Sequence, residues 1–143
     1  MDTKITGTPL VPGAASASLL VSHEPLSFWG GYNPVSGEII DRRHPLSGQY
    51  GINRILAIPG TRGSSTTTAV LLEAIHNNVA PAGFVVTDRD TFLALASVVA
   101  DEMYGYAIPV LQITKDWFNG LQNEHQAEIT VEGLLFSSVK PAL

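Results

Sequence analysis

Apolar residues in this chain gather in short unbroken runs and in two longer stretches of helical period, with Gly- and Pro-rich segments between them. Residues 17–21, Ala-Ser-Leu-Leu-Val, predict a strand, and residues 55–58, Ile-Leu-Ala-Ile, predict a buried one. A helix follows over 67–78, with Ser64, Ser65 or Thr66 available as its N-cap and Asn77-Asn78 as its stop. Residues 83–87 predict a second buried strand. Asp88 or Asp90 can then cap a second helix over 91–104, which ends at Gly105, the residue suited to a left-handed cap. Residues 108–113 form a third β-run, in which Pro109 predicts an edge or first-residue position. Residues 128–132 alternate strictly and predict a half-exposed strand closing the domain. The stretch 23–51 is rich in Pro, Gly, Ser and Asn, as long loops or short hairpins are. Two strand–helix–strand units imply right-handed crossovers and parallel pairing, and the early and late strands imply a second β layer. The class is α/β, with one domain over 1–143 and no internal repeat or linker.

Composition narrows the function. A chain of 143 residues can bury roughly two-thirds of its unfolded surface in one core. Hydrophobic residues are 45% and charged residues 15%, with a mean hydropathy of +0.17, so surplus apolar surface is expected to be covered by a partner. A net charge of −5 argues against a nucleic-acid footprint. The absence of cysteine excludes disulfides, thiol nucleophiles and a self-contained iron–sulfur site, so any cluster has to come from another chain. No apolar run approaches the ~20 residues that cross a bilayer, and no apolar signal region follows Met1; a cytoplasmic location is the default expectation.

Three motifs carry candidate chemistry. Gly60-Thr61-Arg62-Gly63 precedes five consecutive hydroxyl residues, Ser64 to Thr68. A strand that turns through glycines into a helix presents free N–H groups and the positive end of the helix dipole to an anion. Arg62 adds a bidentate fork suited to carboxylate or phosphate. The run is neither a P-loop, which needs a lysine after its last glycine, nor a nucleophile elbow, which needs a second glycine after the serine. Leu26-Ser27-Phe28-Trp29-Gly30-Gly31 reads either as core or as a loop folded over a pocket, with Ser27 offering a hydroxyl. Asp41-Arg42-Arg43-His44-Pro45 is surface by default, but Pro45 predicts an extended His44, so that Arg42 with His44, or Arg43 alone, can meet a ligand. Three of the five arginines thus fall in two short motifs, and His44 is the best candidate proton shuttle. The four histidines lack metal-ligand spacing.

Together, Pro25-Leu26-Ser27-Phe28-Trp29-Gly30-Gly31, Asp41-Arg42-Arg43-His44-Pro45 and Arg62-Gly63-Ser64-Ser65 resemble the swivel domain of aconitase X. The runs 71–75 and 107–110 fit the same pattern, so the resemblance spans nearly the whole chain. It implies a three-layer, swivelling β/β/α domain, like those of aconitase and the phosphohistidine carriers. It also implies a small subunit whose large partner carries the iron–sulfur cluster, none being bound by this chain. The serine after Arg-Gly, taken as the base in that family, maps onto Ser64. The resemblance implies dehydration of a small hydroxy acid, and the Phe-Trp-Gly-Gly and Arg-Arg-His-Pro forms favour cis-3-hydroxy-L-proline over phosphomevalonate. Thr61 stands where relatives often carry glycine.

On this reading Ser64 is the base and Arg62 its electrostatic partner or carboxylate clamp. Ser65 and the helix N–H groups are secondary donors, and Ser27, Arg42, Arg43 and His44 are further candidates for substrate contact. If a serine ionises near the ~16 of water, its alkoxide costs about 12 kcal/mol at neutral pH. A helix terminus offers at most ~2 kcal/mol, so the remainder must come from Arg62, from exclusion of water and from a partner. The alternative from another class is a non-catalytic anion-binding or phosphohistidine-carrier-like module, which would need an exposed histidine at a helix start.

Overall fold

Runs that are apolar at every position lie at the centre of one strongly curved sheet. The computed structural model describes residues 2–63 and 66–140. In chain order its elements are β1 (Thr3–Thr6), β2 (Thr8–Val11), β3 (Ala15–Val21), β4 (Leu26–Ser27), β5 (Ile55–Ala57), β6 (Thr61–Arg62), α1 (Thr66–His76), β7 (Gly83–Val86), α2 (Thr91–Tyr104), β8 (Val110–Gln112), α3 (Lys115–Asn119), β9 (Gln126–Ile129) and β10 (Leu134–Ser137). Eight strands pair in the order β1-β10-β9-β3-β5-β7-β8-β2, while β4 and β6 form a separate two-stranded ribbon.

The sheet has two halves. β3, β5, β7 and β8 run parallel, joined through α1 and α2 as right-handed crossover units require. β1, β10, β9 and β3 pair antiparallel and supply the second β layer. Successive residues of the central strands bury opposite faces: Leu56, Phe84 and Val86 pack toward α1 and α2, while Ile55, Ala57 and Val85 pack inside the curl with Ile5, Leu19, Ile129 and Leu135. These strands are therefore apolar throughout rather than alternating. This is the α/β fold that the sequence predicts.

Closure of the curl rests on Gly7. β1 and β2 stand at opposite ends of the strand order, yet one residue joins them, so the two edges must meet. Gly7 N–H donates to Gly133 O at 2.9 Å, and a Cβ at this position would lie 2.7 Å from the Gln112 carbonyl oxygen.

Several boundaries differ from expectation for local reasons. The last alternating strand ends at Ile129, because residues 130–133 form a turn around Gly133 at φ 92°, and it does not close the domain: β10 follows and pairs with β1. β8 is interior, between β7 and β2, so Pro109 does not mark an edge; it sits immediately before the strand, where its carbonyl accepts from Phe84 N–H at 2.9 Å. Asp90 rather than Asp88 caps α2, accepting from Leu93 N–H, and Gly105 takes the left-handed cap at φ 66°. α1 begins with Thr66 already helical, so Thr66 is not its N-cap, and the other two candidates, Ser64 and Ser65, lie outside the described residues. Surplus apolar surface is visible on α2, where Phe92, Leu95, Val98 and Met103 face outward. Among the described residues no helix is long and apolar enough to cross a membrane.

A Gly7→Val substitution is expected to cost about 1–3 kcal/mol, the usual penalty of overpacking, because its Cβ meets main chain that cannot step aside. Chemical denaturation measures it. An unchanged midpoint would contradict closure of the sheet through this residue.

Candidate functional site

The parallel strands end where their helices begin, and the glycine- and hydroxyl-rich turn lies at that end. β5 leads through Pro59 and Gly60 into Thr61 and Arg62 of β6, then into Gly63 at φ 102°, a backbone conformation that glycine adopts without strain. α1 starts three residues later, with its N-terminus at the turn. Ser64 and Ser65, the expected base and secondary donor, lie outside the described residues. Arg62 is exposed and, among the described residues, makes no ion pair. Thr67 is buried, and its hydroxyl finds no partner among the described residues.

The structure brings the motif at 26–31 to this turn, whereas Arg42, Arg43 and His44 make no hydrogen bond to its described residues 60–63. β4 pairs with β6 in parallel register, Leu26 beside Thr61 and Ser27 beside Arg62, with Leu26 N–H donating to Gly60 O at 3.2 Å. Ser27 therefore stands next to Arg62, although its hydroxyl donates to Trp29 O at 3.0 Å. The Phe-Trp pair divides. Phe28 is buried, stacked on Tyr32 at 5.1 Å and against Phe84 at 5.8 Å, whereas Trp29 is 68% exposed. A Cβ at Gly31 would overlap the Ser27 carbonyl oxygen, so the paired glycines serve a tight turn behind β4. Tyr32 anchors this loop by donating to Val79 O at 2.6 Å, and burial pushes its phenol well above the usual tyrosine range.

The Asp-Arg-Arg-His-Pro run is not extended as Pro45 had suggested. His44 N–H donates to Asp41 O at 3.1 Å and Ser47 N–H to His44 O at 3.0 Å, so two turns follow one another and the alternation of side chains is lost. Arg42 and Arg43 are exposed, and Arg43 N–H donates to Asp41 Oδ1 at 3.0 Å. His44 is buried. Its Nδ1 accepts from Leu46 N–H at 3.1 Å, which leaves the hydrogen on Nε2 to donate to Glu24 O at 3.2 Å. Both nitrogens that a proton shuttle needs are engaged with main chain. His44 instead ties its loop to the segment entering β4.

Sequence reasoning valued Asp90 only as a possible helix cap. Its Oδ1 accepts from Leu93 N–H at 2.9 Å, while its Oδ2 accepts from both Thr61 N–H and Thr61 Oγ1, each at 2.6 Å. These contacts join the start of α2 to β6. Pro59 O adds to the junction by accepting from Thr87 N–H at 3.2 Å and Asp88 N–H at 2.9 Å. The only sequence clue was that two acidic residues preceded a helix. A partner 29 positions away leaves no local trace.

A cavity of about 430 Å³ lined by His23, Pro25, Pro59, Asp88 and Lys115 opens beside the turn. A larger one, about 540 Å³, lies at the opposite ends of α1 and α2, among His76, Asn78 and Tyr104, away from all three motifs. The pairing of Ser27 with Arg62 before α1, rather than cavity size, therefore marks the candidate site. The chain holds no cysteine, and its described residues show no grouping of three metal-ligating side chains, so its own residues do not fit an iron–sulfur cluster.

His44→Ala removes one donor and one acceptor for buried main chain and is expected to cost about 1–3 kcal/mol in denaturation experiments. Unchanged stability with lost turnover would instead return His44 to proton transfer.

Comparison with known proteins places the chain in a family. Residues 4–135 match the family model of the aconitase X swivel domain. Over 101 residues, 71% of this chain, it is 50% identical to a cis-3-hydroxy-L-proline dehydratase of Pseudomonas aeruginosa, of which it spans only 17%. A phosphomevalonate dehydratase small subunit of Methanopyrus kandleri is 41% identical over 59% of this chain and 63% of its own length. The chain thus spans less than two-thirds of each of these relatives. The crystal structure of Thermococcus kodakaraensis aconitase X in its holo form superposes with a TM-score of 0.84 at 26% identity, covering 94% of this chain and 98% of that one.

Proposed function

The chain belongs to the aconitase X swivel-domain family, and from that premise we propose that it is the small subunit of a hydro-lyase that dehydrates a small hydroxy acid. One domain over 1–143 would then work beside a large subunit that carries the iron–sulfur cluster. The observation that carries this reading is the pairing of Ser27 with Arg62 at the N-terminus of α1, with the His44 loop fastened behind it. The outward apolar stripe on α2, which begins at Asp90 beside the turn, supports cover by another chain. The hydroxyproline type is supported by 50% identity over 71% of the chain, against 41% over 59% for a phosphomevalonate relative.

Dehydration removes a proton from the carbon next to a carboxylate and breaks the C–O bond of the neighbouring carbon, the two fragments leaving together as water. Arg62 would hold the carboxylate through its two-pronged guanidinium, and the N–H groups at the start of α1 would add dipolar attraction for the same charge. Ser64 would take the proton, with Ser65 as a supporting donor. Ser27 would keep the substrate side of Arg62 polar, while Arg42 and Arg43 remain exposed for the outer face of the substrate. Assistance to the departing hydroxyl falls to the partner, because no acid among this chain's candidates is placed for it. A carrier role has less support, since His44 is buried with both ring nitrogens engaged.

In the reconstituted complex Ser64→Ala is expected to lower kcat about 10²- to 10⁴-fold with assembly intact, the range for loss of a general base. Near-normal turnover would remove Ser64 from that role. Arg62→Lys keeps charge but loses the fork, and should raise KM roughly ten- to hundredfold. An effect on kcat alone would contradict a carboxylate clamp. The purified chain without its partner is expected to show no dehydratase activity under assay; turnover in its absence would overturn the two-subunit reading.

A further inference from the structure

Thr61 is held from two sides. β4 lies along one side, with Leu26 in register beside it, and Asp90 reaches it from the other. Resting on the assignment of the 60–68 turn as the substrate-facing site, we infer that Asp90 is a positioning residue for that site: its buried carboxylate fixes Thr61 and thereby sets where Arg62 meets the substrate.

Capping α2 requires only one of the two carboxylate oxygens. Oδ1 does that for Leu93, and serine, threonine or asparagine would cap nearly as well. The second oxygen, Oδ2, receives two donors from Thr61 at 2.6 Å, short enough to be charge-assisted. Among capping side chains only a carboxylate offers acceptors on both oxygens at once. Asp90 is itself only 8% exposed, so its charge stays buried because three donors satisfy it. Gly60 makes room for the approach: a Cβ there would lie 3.1 Å from Asp88 Oδ2 and 3.4 Å from Asp90 Oδ2.

Arg62 needs this support. It stands on a strand of only two residues, with its side chain exposed, followed by a glycine at positive φ. Backbone freedom at Thr61 would pass directly to the guanidinium, and displacement of a positioning group by about 1 Å can cost a hundredfold in rate. The Thr61 hydroxyl adds a second bond to the same oxygen, so side chain and main chain are locked together.

Three variants, assayed in the complex with the large subunit and normalised to assembled protein, separate positioning from simple stabilisation. Thr61→Val removes the hydroxyl, Asp90→Ser keeps a cap for α2 while withdrawing Oδ2, and Thr61→Ser restores the hydroxyl. The first two should each lower kcat/KM about ten- to hundredfold, with KM raised as in Arg62→Lys, and the third should recover most of that loss. The double variant Thr61→Val with Asp90→Ser should be no worse than Asp90→Ser alone, because both changes remove one contact. In the free chain, amide hydrogen exchange at Thr61 should quicken at least tenfold in Asp90→Ser. Unchanged kcat/KM in both single variants, losses that multiply in the double variant, or unaltered exchange at Thr61 would overturn the assignment. Arg62→Lys run beside them distinguishes the two failures. Wild-type kcat/KM in Arg62→Lys refutes the site itself, whereas loss there with wild-type values in Thr61→Val and Asp90→Ser refutes only the role of Asp90.

Discussion

A buried carboxylate at the start of α2 holds the working end of this domain together. Asp90 caps its own helix with one oxygen and grips Thr61 with the other, so two strand–helix loops that are distant in sequence become one rigid edge. Pro59 O, accepting two N–H groups from residues 87 and 88, closes the same seam. Arg62 is exposed, while the residue before it is hydrogen-bonded to Asp90 through both main chain and side chain. The parallel half of the sheet supplies the scaffold on which those loops stand, and its burial on both faces makes that scaffold stiff.

Elements whose signals are local were legible in the chain itself. The unbroken runs at 55–58 and 83–87, the caps at Asp90 and Gly105 and the helical period between them mark the crossover units that set the fold class. β1, β2, β10 and α3 escaped notice because each is four or five residues long, and β1 and β2 are polar at half or more of their positions. Their pairing depends on the curl of the whole sheet. Pro109 left two positions open, a sheet edge or the start of a strand, because the two look alike until the neighbouring strand is known; the structure puts it immediately before β8.

The candidate site was legible as three motifs but not as a geometry. The hydroxyl turn and the paired aromatic and glycine residues point toward each other only once β4 is seen beside β6, and Ser27 beside Arg62 is a contact across 35 positions. His44 looked like chemistry and is fastened to main chain through both nitrogens, since a buried imidazole can serve as a strut as readily as a shuttle. Asp90 looked like a cap for its own helix alone and also holds Thr61, the residue before Arg62. In both cases the residue type left the partners open, and only the folded chain supplies them.

An exposed Arg62 beside Ser27 at the start of α1, an outward apolar face on α2 and a chain without cysteine suit a site completed by another chain. The most direct test is a crystal structure of the assembled complex with an unreactive substrate analogue bound. Its carboxylate is expected within hydrogen-bond distance of the Arg62 guanidinium, with Ser64 Oγ facing the carbon that loses its proton and the Thr61–Asp90 contact intact. An analogue bound wholly by the large subunit, with Arg62 and Ser64 turned to solvent, would contradict the shared site.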